Sequence, residues 1–355
     1  MNSCQNRTVF VGMSGGVDSS VAASLLVKQG FQVQGVTLLL YPENSKCCNL
    51  DDVRDAREVA TQIGIPHRTL DYTESFVDRV IHPFAEDYRK GLTPNPCPGC
   101  NAVVRFFALA QLARKEGASH IATGHYARLE CVEDFIFLKP AEDPEKSQEY
   151  FLAFLPQEIL SMLTFPLGDL RKDEVREIAG HLSLSVRSKK ESQDVCFVPP
   201  DGYADFLVRR FCVEPRQGEI VDRQGRVLGT HRGIVYFTVG QRKGLGIASS
   251  EPLYVIELNP DKNQVVVGHR DEAGRTEIQV LPQVWHLRSR NGTFRVRIRY
   301  RHRPAPALVK EGPGHLTVQF YEPQFAPAPG QLAVFYDDRD RVIGAGTILP
   351  FSCYQ

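Results

Sequence analysis

A glycine- and serine-rich turn near the N-terminus has the residue types that bind a phosphate group. The apolar run over residues 8–12 is typical of a buried strand, and Ser-Gly-Gly-Val-Asp-Ser-Ser follows it at 14–20. Glycines let backbone N–H groups approach a phosphate closely, serine hydroxyls add donors, and the helix predicted behind them adds partial positive charge. No Lys-Ser or Lys-Thr pair follows, so this is not a Walker loop. An ordinary glycine-rich turn is the alternative.

Two cysteines have neighbours that favour the reactive thiolate. Cys100 ends a proline-rich segment and precedes a helix predicted over 101–115, whose dipole would stabilise negative charge at its start. Cys196 follows two lysines, at 189 and 190, which would act in the same way. The apolar pair at 197–198 suits a buried, inert thiol equally well, so both interpretations of Cys196 stay open.

The cysteines also raise the question of a metal site. Cys97-x-x-Cys100 has the spacing of half a metal site, and Cys47-Cys48 is a candidate for the other half. Adjacent cysteines are poor ligands for one tetrahedral ion, so a metal or iron–sulfur cluster is the less favoured interpretation. The nine cysteines are irregularly spaced, which argues against a disulfide framework.

Alternating strand-like and helix-like segments over the first 200 residues must position these groups. Beyond the first strand, strands are predicted at 33–40, 67–71 and 120–123, and helices at 50–63, 73–89 and 101–115. This order is typical of βαβ units and a parallel sheet, which binds ligands at the carboxyl ends of its strands. The glycine–serine turn, Leu38 and the segment 123–126 all fall at that edge.

The pattern changes near residue 205 to short strands separated by turn residues. They are predicted at 219–221, 227–228, 235–237 and 253–256, and a second all-β stretch begins near residue 276. The sequence therefore predicts an α/β chain of three domains: a parallel-sheet catalytic domain over 1–205, a central β-rich linker domain over 206–275 and a C-terminal β-barrel-like domain over 276–355.

An arginine-rich segment in the last of these domains is suited to a polyanion. Residues 294–303 read Phe-Arg-Val-Arg-Ile-Arg-Tyr-Arg-His-Arg, which as one strand would place five arginines on one face. Asn291-Gly292 predicts a hairpin that joins this strand to residues 285–290. Arginines beside aromatic rings suit RNA phosphates and unpaired bases, whereas a solvated edge strand is the alternative. We favour polyanion binding because like charges at every second position repel.

Overall composition limits the classes of function. The 42 basic and 42 acidic residues balance, so a nucleic-acid site must come from local segregation of charge. No segment is apolar enough to span a membrane and the N-terminus lacks a signal-peptide pattern, which predicts a cytoplasmic protein without a membrane partner.

Four motifs occur in the order found in the bacterial tRNA 2-thiouridylase family (MnmA/TrmU), which the chain resembles over essentially its whole length. They are Ser-Gly-Gly-Val-Asp-Ser at 14–19, Thr-Pro-Asn-Pro-x-x-x-Cys-Asn at 93–101, Thr-Gly-His-Tyr-Ala at 123–127 and Glu-Ser-Gln-Asp-x-Cys-Phe at 191–197. The first looks like the pyrophosphate-binding loop of enzymes that cleave ATP to AMP and pyrophosphate. The resemblance implies an adenine-nucleotide alpha-hydrolase-like (PP-loop) first domain.

The resemblance also implies a reaction. The family adenylates the C2 oxygen of a wobble uridine in tRNA with ATP and replaces that oxygen with sulfur, which gives 2-thiouridine, AMP and pyrophosphate. Cys196 would carry the sulfur as a persulfide, received from a cysteine desulfurase or a sulfur-carrier protein. Cys100 would be the nucleophile and would close a transient disulfide with Cys196. ATP and Mg²⁺ would be required, with Asp18 near the metal.

The resemblance assigns binding roles residue by residue. ATP would contact Gly12, Met13, Ser14, Gly15, Gly16, Val17, Asp18, Ser19, Leu38 and Gly124. The target base would contact Asn95, Pro96 and Cys97. The rest of the tRNA would contact His125, Lys146, Ser147, Gln148, Arg299, Tyr300, Arg301 and Gln331, although a lone histidine such as His125 is more often structural.

Three positions depart from the family pattern. Cys97 stands where the family often has an aspartate, and a thiol does not replace a carboxylate's charge. Leu38 replaces a methionine, a volume-conserving change. Ser147 replaces an aspartate, and no role is assigned to Cys47 and Cys48.

Two other classes of function fit part of the sequence. Ligases and amidotransferases that adenylate a carbonyl compound share the loop but need neither reactive cysteine. An RNA-binding protein with a decayed nucleotide site is disfavoured because the loop keeps its glycines, serines and aspartate intact.

Overall fold

The structure is a computed structural model that describes residues 8–41, 49–189 and 195–351. Cys4, Cys47, Cys48 and Cys353, together with residues 191–194 of the fourth motif, lie outside the described residues. The chain divides into two compact units, one of residues 1–80, 97–199 and 340–342 and the other of residues 81–96, 200–339 and 343–355.

A parallel sheet forms the centre of the first unit. Its strands occur in the order β3-β2-β1-β4-β7, and every neighbouring pair runs parallel, while β5 and β6 form an antiparallel hairpin. The ranges are β1 Thr8–Gly12, β2 Gln32–Leu39, β3 His67–Asp71, β4 His120–Thr123, β5 Arg128–Val132, β6 Phe135–Lys139 and β7 Leu163–Thr164. Val9, Phe10 and Val11 of β1 have no exposed surface, as expected for a central strand covered on both faces.

The described helices are α1 Val17–Lys28, α2 Leu50–Ile63, α3 Thr73–Phe76, α4 His82–Arg89, α5 Pro96–Cys100, α6 Phe106–Lys115, α7 Glu149–Leu152, α8 Gln157–Leu160, α9 Lys172–His181 and α10 Tyr203–Phe211, with π-helical segments at Val77–Ile81 and Asn101–Arg105. Those of the first unit connect and cover the strands of its sheet, whereas α4 and α10 belong to the second unit. The helical predictions for 50–63 and 73–89 are confirmed.

The helix predicted to begin at Asn101 begins five residues earlier, at Pro96, and runs through the π-helical segment into α6. Cys100 therefore lies inside the helical run, and the prediction that it precedes the helix start is wrong. The helix dipole acts mainly over the first turn, so it favours a Cys100 thiolate less than the sequence suggested.

In the second unit, a four-stranded sheet has the order β10-β11-β8-β9. The strands are β8 Gly218–Val221, β9 Val227–His231, β10 Tyr254–Asn259 and β11 Gln264–Gly268. The strand predicted at 235–237 is wrong, because Ile234–Tyr236 forms a 3₁₀ turn. Val235 and Phe237 still bury their side chains, so alternating burial arises without a strand.

The strands from residue 274 onward form a closed antiparallel barrel. They are β12 Gly274–Trp285, β13 Gly292–Arg297, β14 Ala305–Glu311, β15 Leu316–Phe325, β16 Leu332–Tyr336 and β17 Val342–Ile348. The order is β12-β15-β14-β13-β16-β17, and pairing of β12 with β17 closes it. The predicted α/β fold, with a parallel-sheet domain, a central β domain and a C-terminal barrel, is confirmed.

The barrel corrects two predictions about the arginine-rich segment. Strand β13 ends at Arg297, and residues 298–304 connect it to its antiparallel partner β14, so the five arginines do not share one strand face. Strand β12 pairs with β15 and β17 instead of β13, so Asn291-Gly292 does not form the predicted hairpin.

Candidate active site

A cavity of about 350 Å³ lies in the first unit, at the carboxyl ends of β1, β2 and β4. Nine of the ten residues predicted to bind ATP line it: Gly12, Met13, Ser14, Gly16, Val17, Asp18, Ser19, Leu38 and Gly124. The fold therefore gathers the first and third motifs and Leu38 around one pocket, where ligands of parallel sheets bind.

Two glycines let the backbone of the cavity wall close tightly. Gly15 has φ +67°, and a Cβ there would lie 2.3 Å from the Asp52 carbonyl oxygen. A Cβ on Gly124 would lie 2.5 Å from the Ser19 backbone nitrogen. The absence of a side chain at Gly15 thus lets the turn pack against α2, and its absence at Gly124 lets the end of β4 pack against the start of α1.

Serine hydroxyls hold the turn in shape. The Ser14 N–H donates to Ser19 Oγ at 3.1 Å, and the Ser20 hydroxyl donates to the Gly16 carbonyl at 2.8 Å. Gly16, which has no side chain, is the N-cap residue of α1, so the cap supplies no side-chain acceptor for the first-turn N–H groups. Such a helix start is suited to an anion.

An ion pair at the cavity was not foreseen from the sequence. Lys172, the first residue of α9, places Nζ 2.7 and 2.8 Å from the two carboxylate oxygens of Asp18. The Tyr126 hydroxyl donates to Asp18 Oδ1 at 2.8 Å. The Lys172 side chain is only 7% exposed, so its charge is held largely away from water.

A second lysine in the cavity wall has two carboxylate partners. Lys189 Nζ lies 2.7 Å from Asp52 Oδ1 and 2.6 Å from Asp55 Oδ2. Burial alone would lower the Lys189 pKa, but its hydrogen bonds and attraction to the two carboxylates raise the pKa above the ordinary value. This lysine therefore stays charged. Arg105, from the π-helical segment, also lines the cavity.

His125, predicted to contact tRNA, lines the same cavity. Its Nδ1 lies 2.8 Å from Thr123 Oγ1, and its ring centroid lies 5.6 Å from that of Phe106. Burial, and next the positive charge of Arg105, lower the His125 pKa to about 3, so the ring is neutral at physiological pH.

The motif cysteines are not among the residues that line this cavity. Cys100 is buried at the end of α5, and the amide of neighbouring Asn101 donates to the Phe151 carbonyl at 3.0 Å. Cys97 and Cys196 are partly exposed. Within the described ranges, no three His, Cys, Asp or Glu side chains are grouped to hold a metal ion.

The predicted tRNA-contacting residues at 146–148 form internal bonds. The Ser147 hydroxyl is buried, accepts from the Ala141 N–H at 2.8 Å and donates to Glu149 at 2.5 Å. Gln148 lines the cavity, and its side-chain oxygen accepts from the Tyr126 N–H at 2.9 Å. Gln148 thus positions Tyr126, which in turn holds Asp18.

The remaining predicted tRNA contacts lie in the second unit. Gln331 donates its side-chain amide to the Thr93 carbonyl at 2.7 Å, next to Asn95 and Pro96, which are partly exposed. Arg299 is half-buried and donates to the Ala326 carbonyl at 3.1 Å. Tyr300 and exposed Arg301 lie in the turn between β13 and β14.

The described helices include none with the length and apolar character needed to cross a membrane.

The sheet, the glycine–serine turn and the cavity at the strand ends define a nucleotide-binding α/β domain of the HUP class, followed by two barrel-type domains. Family models described as tRNA methyl transferase HUP domain, tRNA methyl transferase PRC-barrel domain and aminomethyltransferase beta-barrel domain match residues 7–200, 204–269 and 275–348. The tRNA-specific 2-thiouridylase MnmA of Geobacter metallireducens is 44% identical, over 96% of either chain. That of Syntrophotalea carbinolica is also 44% identical, over 97% of this chain and 99% of the relative.

A bifunctional NifU/MnmA protein of Rubrobacter xylanophilus is 48% identical over 96% of this chain and 70% of the relative. The chain belongs to the tRNA-specific 2-thiouridylase family, as its motifs predicted.

Proposed function

We propose that the protein is an ATP-dependent tRNA-uridine 2-sulfurtransferase that acts in the cytoplasm. It adenylates the C2 oxygen of the wobble uridine and replaces that oxygen with sulfur, which releases AMP and pyrophosphate. The observation that carries this proposal is the cavity built from the glycine–serine turn, Leu38 and Gly124 in a chain of the 2-thiouridylase family. Adenylation is required because the C2 oxygen is a poor leaving group and AMP a good one.

The cavity residues suit ATP. The uncapped start of α1 and the cations Arg105, Lys172 and Lys189 face a ligand whose phosphates are negative. Asp18 offers carboxylate oxygens, the donor type that Mg²⁺ prefers alongside phosphates and water. Mg²⁺, when bound, would neutralise charge on the phosphates as pyrophosphate leaves. Gly12–Ser19, Leu38 and Gly124 would hold the nucleotide.

Sulfur transfer is assigned to the two motif cysteines. A sulfur-donor protein, such as a cysteine desulfurase or a sulfur carrier, loads Cys196 as a persulfide. The terminal sulfur attacks C2 and AMP departs with the oxygen. The Cys100 thiolate then attacks the Cys196 sulfur, which leaves the transferred sulfur on the uridine and closes a Cys100–Cys196 disulfide that a thiol reductant reopens.

Binding of tRNA is assigned to both units. Arg301, with Arg299 and Tyr300, would contact the tRNA backbone from the exposed turn after β13, and Gln331 would contact it nearby. Asn95, Pro96 and Cys97 would contact the extruded uridine. Contacts to the rest of the tRNA are assigned to His125, Lys146, Ser147 and Gln148. We assign catalysis to residues 1–205, a linker role to 206–275 and tRNA binding to 276–355.

The first prediction concerns the two cysteines. Purified protein is incubated with ATP, Mg²⁺, a persulfide source and unmodified tRNA, and pyrophosphate and 2-thiouridine are measured by mass spectrometry. We expect Cys100→Ala and Cys196→Ala to abolish 2-thiouridine, while Cys131→Ala, at an exposed cysteine of the same unit, retains wild-type yield.

Other outcomes discriminate among the functions. Full thiouridine yield from both cysteine variants would contradict the sulfur relay. Turnover of a small carbonyl compound with no requirement for either cysteine would favour a ligase. Binding of tRNA without tRNA-dependent pyrophosphate release would favour an RNA-binding protein whose nucleotide site has decayed.

A further inference from the structure

Both the backbone and the side chain of Lys172 make hydrogen bonds that fix this residue at the cavity. It begins α9, and its backbone N–H donates to Asp143 Oδ2 at 3.0 Å, which fixes the start of the helix at the cavity wall. Its Nζ bonds both oxygens of Asp18 and lies 5.6 Å from the centre of the Tyr126 ring. A lysine this buried is costly unless its charge has a partner, and here Asp18 is that partner.

Both cavity lysines pair with carboxylates of the described residues. Lys189 pairs with Asp52 and Asp55, and Lys172 pairs with Asp18. Asp18 also lies in the first turn of α1, within the glycine–serine turn. A cation that attracted the Asp18 carboxylate would therefore release the Lys172 charge beside the place assigned to the phosphates.

We propose that Lys172 binds a phosphate of ATP. Before the nucleotide binds, Asp18 holds Lys172, and Asp18 exchanges this lysine for Mg²⁺ when the nucleotide enters. The inference rests on the proposed function for its ligand. Two features support the exchange. The Tyr126 hydroxyl donates to Asp18, so this carboxylate keeps a hydrogen-bond partner when Lys172 turns to the phosphates. The Tyr126 ring lies 5.6 Å from the Lys172 ammonium, close enough to stabilise its charge without Asp18.

The test compares ATP with adenosine, because only ATP carries the phosphates. Calorimetric titration of Lys172→Met should give an ATP Kd weakened on the order of ten- to a hundredfold, which corresponds to loss of a charged hydrogen bond. Adenosine Kd should not change, which also shows that the variant is folded. Lys172→Arg should recover part of the ATP affinity.

Lys139→Met is the matched control. Lys139 pairs with Glu130 at 2.8 Å in the same unit but does not line the cavity, so both Kd values should equal those of the wild type.

Asp18→Asn tests the exchange for Mg²⁺ separately. In Mg²⁺-free buffer it should tighten ATP binding, because the Asp18 carboxylate no longer competes with the phosphates for Lys172, and added Mg²⁺ should then improve binding less than in the wild type.

The outcomes separate the two proposals. If the wild type binds ATP and Lys172→Met binds it equally well, the role of Lys172 is overturned and the proposed function stands. If Asp18→Asn weakens Mg²⁺-free ATP binding, the exchange is overturned. If the wild type binds no ATP, the proposed function fails and the inference fails with it.

Discussion

At the scale of single residues, His125 has a charge set by its surroundings. Burial and the nearby Arg105 lower its pKa to about 3, and Thr123 supplies a hydrogen-bond partner at 2.8 Å. The neutral ring can exchange hydrogen bonds with a nucleic-acid base but brings no positive charge to a phosphate. Any tRNA contact that it makes should therefore be independent of pH around neutrality.

This histidine should make the fold sensitive to acid. An unfolded histidine takes up a proton near pH 6.5 and folded His125 only near pH 3, so the stability due to the neutral form is complete above pH 6.5 and is lost as the pH falls toward 3. We expect His125→Asn to remove roughly 2–3 kcal/mol of the decrease in unfolding free energy between pH 7 and pH 4, measured with urea. An equal effect of His181→Asn, at an exposed histidine of the same unit, would contradict this.

Gly15 and Gly64 have similar backbone angles in different surroundings. Their φ values are +67° and +74°. A Cβ on Gly15 would collide with the Asp52 carbonyl oxygen, whereas one on Gly64 would meet nothing within 4 Å. Alanine at Gly64 therefore adds only left-handed strain, about 1–2 kcal/mol, while alanine at Gly15 adds a backbone collision as well.

We expect Gly15→Ala to lower the free energy of unfolding by roughly 1–3 kcal/mol more than Gly64→Ala does. It should also abolish ATP binding, because the turn must move off α2, and Gly64→Ala should bind ATP like the wild type. Chemical denaturation and calorimetry measure both effects. Equal stability losses with ATP binding intact would mean that the turn adjusts to a side chain at residue 15.

At the scale of elements, local signals decided which predictions succeeded. Helix α2 was predicted to the residue because its start and end are both encoded nearby, in the Asn49–Asp52 capping box and the left-handed Gly64. The start of α5 was missed because Pro98 and Gly99 resemble helix breakers. Proline is tolerated in a first helical turn, where its missing N–H has no partner to lose.

The strand across the arginines failed for a different reason. Alternation of arginine and apolar residues continues to residue 303, but β13 ends at Arg297 because its pairing with β14 stops at Val296 and its pairing with β16 stops at Arg297. The length of a strand depends on its pairing partners, which are distant in sequence. The residue pattern of one segment carries no information about those partners.

At the scale of the whole molecule, the parts of the site that depend on local sequence were predicted, and the parts that depend on contacts between distant segments were not. Most of the residues assigned to ATP lie in one continuous turn, so their proximity follows from the chain itself. Lys172 reaches Asp18 across 154 residues, and Lys189 reaches Asp52 across 137. Nothing in the local sequence of either lysine marks it as a cavity residue, because tertiary packing makes these pairs.

Because the net charge is balanced, tRNA binding should depend on local groups of cationic side chains. Substitution of Arg301 tests this dependence. Arg301 is exposed in the turn after β13, whereas Arg299 donates to a carbonyl within the fold. If Arg301 contacts a phosphate, Arg301→Gln should weaken binding of all substrate tRNAs similarly and reduce the slope of log K against log salt by roughly 0.7–0.9, the release of one counterion. Filter binding between 50 and 300 mM KCl measures both.

Arg226→Gln is the control for that measurement, because Arg226 is also exposed but its charge is paired with Asp222 at 2.6 Å. Its salt slope should match that of the wild type. An unchanged slope for Arg301→Gln would remove the β13–β14 turn from the tRNA-binding surface. The phosphate contacts would then have to come from other lysines or arginines, since a chain with 42 basic and 42 acidic residues has no net charge to replace them.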